Sequence, residues 1–241
     1  MPTRTVPERD LVYDRFVLDR PLRLEHLVAL VPVRSLEGAK ARLGEALDAE
    51  ERRALVSRLL VRTVEAAAAA PGVAAVVVVS PDPAVLELAG RHGAEGVLQA
   101  GGGLNEGLAA ARAWAERAGA DGILVVPGDL PAVSMPELAR IVAGARAMLD
   151  AGEAGPPAPR ALVALVPDRG GTGTNLLLVA PPRAIAFLFG EGSRAAHAAA
   201  ARAAGATYVE LGGPLALDLD TPDDLLVAEA AGLGGLRAEL P

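Results

Sequence analysis

The sequence predicts an α/β fold of three layers, α/β/α, with helices on both faces of a mainly parallel, doubly wound sheet. Three observations carry this. Short apolar runs alternate along the chain with longer stretches of helical periodicity, an order that demands crossover connections. Runs such as Val76–Val79 are continuously apolar rather than alternating, as strands buried on both faces are. Hydrophobic residues make up 51% of the 241, yet aromatics only 2%. The core is therefore Val, Leu, Ile and Ala, the filling of a sheet between Ala-rich helices.

The predicted strands are Leu27–Val33, Val73–Ser80, Gly96–Gln99, Gly122–Pro127, Ala161–Val166 and Leu176–Val179, each bounded by Gly, Pro or Asp. Between them, residues 48–70 place Leu55, Leu59, Leu60 and Val64 at helical spacing behind an acidic first turn. Further helices are expected over Pro83–His92, Asn105–Ala118, Met135–Leu149 (with Ser134 as N-cap and Pro136 in the first turn), Arg194–Ala204 and Pro222–Ala231. The Gly/Pro/Ala-rich stretch 151–160 reads as a surface loop. The organisation expected is an N-terminal extension over 1–26 and a single domain over 27–241.

Composition excludes several functions. The net charge of −7 offers no basic stripe for nucleic acid, and scarce aromatics argue against base stacking. With no cysteine there are neither disulfides nor thiolate metal sites, so a cytoplasmic protein is expected. No apolar run approaches the roughly 20 residues of a membrane span. His26, His92 and His197 show no zinc-ligand spacing, and no G-x-S-x-G elbow is present. The oligomeric state is open, a homodimer included.

In doubly wound sheets ligands lie beyond the carboxyl ends of the strands, so the residues that follow each strand hold the chemistry. After the first strand, Arg34, Lys40 and Arg42 either grip a triphosphate or form a solvated basic loop; the P-loop and G-x-G-x-x-G patterns are both absent. In Val125-Val126-Pro127-Gly128-Asp129, a carboxylate directly after an apolar strand is costly unless it is solvated or binds a cation. The bland alternative is an Asp that caps the next turn. Asp218 and Asp220 are two apart and so face the same way on an extended chain. Together with Asp129 they suit Mg²⁺, which takes one or two protein carboxylates plus phosphate oxygens. Thr221 can cap the following helix while Asp220 binds the ion. Residues 168–175 supply glycines, Thr172, Thr174 and Asn175, either a donor-rich nest for an anion or a flexible turn, which rarely needs both Thr and Asn. Ser193 is either an anion site or an ordinary N-cap.

Seven segments in order resemble one family. They are Val31–Arg34 with Ala39–Leu43; Ser80-Pro81-Asp82; Gly103-Leu104-Asn105; Pro127–Pro131; Asp168–Asn175; Phe189-Gly190 with Gly192-Ser193; and Asp218 with Asp220-Thr221-Pro222. The family is that of the 2-phospho-L-lactate/phosphoenolpyruvate guanylyltransferases, within the Rossmann-like nucleotidyltransferases that include the molybdenum-cofactor guanylyltransferases. The resemblance covers about residues 27–230. It implies a nucleotide-diphospho-sugar transferase-like fold and an enzyme that joins GMP from GTP to a phosphorylated three-carbon acid, expels pyrophosphate and serves synthesis of the deazaflavin coenzyme F-420. Phosphoenolpyruvate is the first choice of acid, by analogy with bacterial members. The implied nucleotide contacts are Arg34, Lys40, Arg42, Ser80, Gly103 and Asn105. The implied Mg²⁺ ligands are Asp129 and Asp220, which with Lys40 form the catalytic set. Thr174, Gly190 and Ser193 would hold the acid. A transferase of the same fold acting on a molybdopterin or sugar phosphate, or a non-catalytic nucleotide-binding module, are the alternatives.

Overall fold

The computed structural model describes residues 22–37, 40–153 and 160–233. Seven strands and six α-helices alternate among them. In order they are β1 (Leu27–Pro32), α1 (Ala49–Ala69), β2 (Val73–Ser80), α2 (Pro83–Arg91), β3 (Glu95–Leu98), α3 (Leu104–Arg117), β4 (Gly122–Val125), α4 (Met135–Glu153), β5 (Leu162–Pro167), β6 (Thr174–Ala180), α5 (Ser193–Ala203), β7 (Thr207–Glu210) and α6 (Pro222–Ala228). Local chemistry starts the helices where the sequence marks them. Asp48 and Glu51 form a reciprocal capping box before α1. Asp82 caps α2 ahead of Pro83, and the Ser134 hydroxyl accepts from the Glu137 amide at the start of α4.

The strands form one sheet in the order β3-β2-β1-β4-β6-β5-β7. All run parallel except β6, which is antiparallel to both β4 and β5. The α/β fold with its mainly parallel sheet is therefore as the sequence predicts. Two features were not foreseen. The reversal of β6 follows from its connection: residues 168–173 are too few for a crossover and can only close a hairpin. Strand β7 was missed because Thr-Tyr-Val-Glu is a short, half-exposed edge strand with no apolar run.

Helices α1, α2 and α4 cover one face of the sheet, burying Val56, Leu60, Val85, Leu138 and Ile141. Helices α3 and α5 cover the other, with Leu108, Ala111 and Ala201. A third cluster joins distant segments: Leu43, Leu55, Leu59, Leu217, Leu219 and Leu225 pack together. It clamps the short 3₁₀ turn Ala41–Glu45 and the residues before α6 onto α1.

Most of the expected extension, residues 1–21, lies outside the described residues. Of the remainder, Leu24 is buried in the first core cluster and its carbonyl accepts from Arg146. The expected loop 151–160 begins as the last turn of α4, and residues 154–159 lie outside the described set. No helix among the described residues is long and apolar enough to cross a membrane.

Candidate active site

The carboxyl ends of β1 to β4 open into a cavity of about 1090 Å³. Arg34, Lys40 and Arg42 line it on the β1 side, Gly101–Leu104 line the wall beyond β3, and Gly128, Asp129, Phe189 and Asp220 complete it. The residue brought furthest is Asp220, which follows no sheet strand. Leu217 and Leu219 turn into the leucine cluster, so Asp218 and Asp220 face the opposite way. The Leu219 amide then donates to the Asp129 carbonyl at 3.3 Å, fixing the two segments side by side.

Lys40 lies at the centre. Its Nζ donates to Asp129 Oδ2 and to Asp220 Oδ1, each at 2.7 Å. Only 11% of its side chain is exposed, against 33% and 46% for the two carboxylates. Burial would depress the ammonium, but the Asp129 and Asp220 carboxylates outweigh it and hold the group above its ordinary value. Lys40 adopts a left-handed backbone conformation (φ 55°) at the start of the 3₁₀ turn. Asp218 is shifted up by burial and by the neighbouring charges of Asp129 and Asp220. The flanking Gly38 and Ala39 lie outside the described residues.

The cap anticipated at Thr221 forms without the Asp220 carboxylate. The Thr221 hydroxyl accepts from the Asp224 amide, and Asp224 Oδ2 accepts from the amides of Asp220 and Thr221 and from the Thr221 hydroxyl. The Asp220 carboxylate is thus not spent on the cap.

Other expected residues stand one layer behind the cavity. Ser80 is fully buried; its hydroxyl donates to the Arg34 carbonyl at 3.4 Å and accepts from the Asp82 amide at 3.0 Å. Asp82 in turn accepts from the Ser35 hydroxyl and the Leu36 amide, so this pair shapes the basic loop. Asn105 spends its amide on residue 189, donating to the Phe189 carbonyl at 3.0 Å and accepting from the Phe189 amide at 2.9 Å. Gly103 faces the cavity directly.

On the other half of the sheet, the reversal of β6 brings its first residues to this same edge. Thr174 and Ser193 are nearly buried, and Gly190 (φ 132°) occupies a conformation that favours glycine. The donor nest at 168–175 is largely self-satisfied: Asp168 accepts from the Thr172 amide, and Asn175 donates to the carbonyls of Leu215 and Ala216.

Sequence reasoning missed two supporting residues. Gln99 donates from one amide nitrogen to the carbonyls of Gly101, Gly102 and Gly103 at 3.2, 3.1 and 2.8 Å. A lone Gln after a strand gives no signal beyond the glycines that follow it. His197 meets Thr174 Oγ1 and the Leu188 amide; its signal was its position four residues after Ser193, on the same helical face.

Fold comparisons agree with this architecture. A provisionally named nucleotide-diphospho-sugar transferase from Desulfovibrio desulfuricans G20 superposes with a TM-score of 0.64 at 19% identity, over 86% of this chain and 87% of its own. A nucleotidyl transferase from Methanothermobacter thermautotroptrophicus superposes at 0.57 and 20% identity, over 87% and 98%. These likenesses show the fold, a doubly wound α/β sheet with a cation-lined cavity at its parallel strand ends; the class, a nucleotidyltransferase, follows from the family match and the relatives. The sequence profile described as "Guanylyl transferase CofC like" matches residues 27–234, and the chain belongs to that family. Among its relatives, the phosphoenolpyruvate guanylyltransferase of Sphaerobacter thermophilus is 46% identical over 199 residues, 82% of this chain and 90% of that one. That of Rubrobacter xylanophilus is 42% identical over 205 residues, 85% and 94%.

Proposed function

We propose that this guanylyltransferase transfers GMP from GTP to the phosphate of phosphoenolpyruvate in the cytoplasm, as a step in coenzyme F-420 synthesis. One observation carries the reading: a buried ammonium held between two carboxylates in a cavity whose rim carries two more cations and a glycine-rich wall. The names of the relatives, at up to 46% identity, support the choice of acid.

A phosphate oxygen of the acid attacks the α-phosphorus of GTP, the bond from that phosphorus to the bridging oxygen breaks, and pyrophosphate leaves. The nucleophile is already an anion, so no side chain need act as base. What the protein must supply is positioning and neutralisation of charge. Arg34, Lys40 and Arg42 meet the phosphates of GTP, and Gly103 lies at the nucleoside end. Ser80 and Asn105 shape those walls from behind. Thr174, Gly190 and Ser193 supply neutral donors to the acid, which avoids competition with the nucleotide for cations.

A divalent ion fits the donor set. Asp129 and Asp220 offer hard oxygens close enough to share one ammonium, and Asp218 feels both charges. Among the described residues no three ligating side chains are grouped for a metal. Asp129 and Asp220 would therefore hold Mg²⁺ together with phosphate oxygens, its usual mode. When bound, the ion supplies neutralisation of the charge that develops on the phosphates.

The test mixes purified protein with Mg²⁺, GTP and either phosphoenolpyruvate or 2-phospho-L-lactate and measures pyrophosphate. Release should be fastest with phosphoenolpyruvate, and no release with either acid refutes the proposal. Asp129→Ala should lower turnover by at least about 100-fold while the protein stays folded. Near-normal turnover in that variant would remove Asp129 from the reaction.

A further inference from the structure

His197 is fully buried on the inner face of α5, one turn after Ser193. Both its ring nitrogens are engaged. The Leu188 amide points at Nε2 from 3.0 Å. A main-chain N–H can only donate, so Nε2 must present a lone pair, and the hydrogen of the neutral ring sits on Nδ1. Nδ1 lies 3.1 Å from Thr174 Oγ1, so the ring donates to that hydroxyl. Thr174 then accepts on its inner side, and its own hydrogen is left to donate elsewhere. Among the described residues no other hydrogen bond fixes the direction of that hydroxyl.

The same ring also steadies a wall of the cavity. Phe189 meets it edge to face, centroids 5.1 Å apart at 74°. Phe189 lines the cavity, and its main chain is held from the other side by Asn105, in the first turn of α3. The segment 188–190 is therefore gripped from the nucleotide side by Asn105 and from the opposite side by His197.

We infer that His197 is a positioning residue for the acceptor: as the Nδ1–H tautomer it sets the Thr174 hydroxyl as a donor to the acid and pins residues 188–190 between the two substrate positions. This rests on the acceptor role proposed above for Thr174, Gly190 and Ser193. The two contacts can be separated by substitution. In His197→Gln the longer amide reaches the outer position and can accept from Leu188, but its contact to Thr174 is lost. In His197→Asn the shorter amide falls near Nδ1 and can still donate to Thr174, while Leu188 is released.

Two measurements test this on the full chain. The first needs no substrate: ¹⁵N spectra of histidine in the wild type at neutral pH should show a neutral ring protonated at Nδ1. An Nε2–H tautomer or an imidazolium would overturn the inference. The second is steady-state pyrophosphate release. His197→Gln should raise KM for the acid roughly tenfold, the size of one lost buried hydrogen bond, with KM for GTP almost unchanged. His197→Asn should largely restore the KM for the acid but speed hydrogen exchange at the Leu188 and Phe189 amides. If both KM values rise together, or neither moves, His197 has no specific hold on the acceptor. A wild type that releases no pyrophosphate refutes the proposed function instead, and the spectra and exchange rates still decide whether the latch exists.

Discussion

The Leu219 amide donates to the main-chain carbonyl of Asp129 at 3.3 Å, and this single bond sets a residue from the end of the chain beside the end of β4. From there Asp220 reaches Lys40, which also holds Asp129. Three side chains far apart in sequence are thereby locked together, with the leucine cluster beneath them as their common footing.

Removing the ammonium isolates the consequence of that arrangement. In Lys40→Met, Asp129 and Asp220 face each other without the cation between them, next to Asp218. KM for GTP should rise, and Mg²⁺ alone should raise the melting temperature more in the variant than in the wild type, because the ion then relieves an unpaired repulsion. Equal Mg²⁺ responses in a thermal-shift titration would show that the carboxylates do not form the cation site.

Gly107 tests the wall beyond β3. A Cβ there would sit 2.6 Å from Gln99 Oε1 and 3.2 Å from Val79 Cγ1. Gly107→Ala must displace Gln99, releasing the three glycine carbonyls it gathers. The expected result is a several-fold rise in KM for GTP, an unchanged KM for the acid, and a stability loss of about 1–2 kcal/mol. Kinetics identical to the wild type would mean that Gln99 does not shape the nucleotide wall.

Asn175 supports the other carboxylate. Its buried amide donates to the Leu215 and Ala216 carbonyls, anchoring the 3₁₀ turn that leads to Asp218 and Asp220. Asn175→Ala should cost about 1–3 kcal/mol in chemical denaturation and reduce turnover as well, since Asp220 loses its approach. Loss of stability with full turnover would assign Asn175 a purely structural role.

His197 makes stability depend on acidity. Burial lowers its pKa from 6.5 to about 4. Between those values the unfolded chain binds more protons than the folded one, so stability falls as the pH drops from about 6.5 towards 4, and this group adds nothing further below that. The whole effect is at most about 3 kcal/mol, at roughly 1.4 kcal/mol per pH unit. Urea midpoints measured from pH 7 to 4 should fall more steeply for the wild type than for His197→Gln. Parallel curves would show that the ring is not held neutral.

The parallel half of the fold was legible because its strands are uninterrupted apolar runs closed by Gly, Pro or Asp. Knowing where such strands end placed Lys40, together with Arg34 and Arg42, and Asp129 among the candidates, and the family resemblance singled them out. The period-two spacing of Asp218 and Asp220 predicted their shared side, and Leu217 and Leu219 turning into the core is the physical reason. What could not be read was contact between distant segments: Leu219 meeting Asp129, or His197 meeting Thr174, depends on how helices lie on the sheet. The run Leu176–Val179 shows a strand but not its direction; only the short connection before it carries that information. Ser80 and Asn105 have residue types that suit ligand contact, yet burial and main-chain partners engage them first.

Under the proposed function, the single reversed strand divides the labour of the site. The nucleotide side is built on parallel strands, each tied to its neighbours through a helix, so a change in one disturbs the whole layer. The opposite side hangs on the β5–β6 hairpin, whose six-residue turn and first strand residues can be altered without rethreading any crossover. A sheet made this way has one conservative half and one adaptable half, and a new acceptor could be accommodated by redrawing the hairpin tip while the machinery for the nucleotide remained as it was.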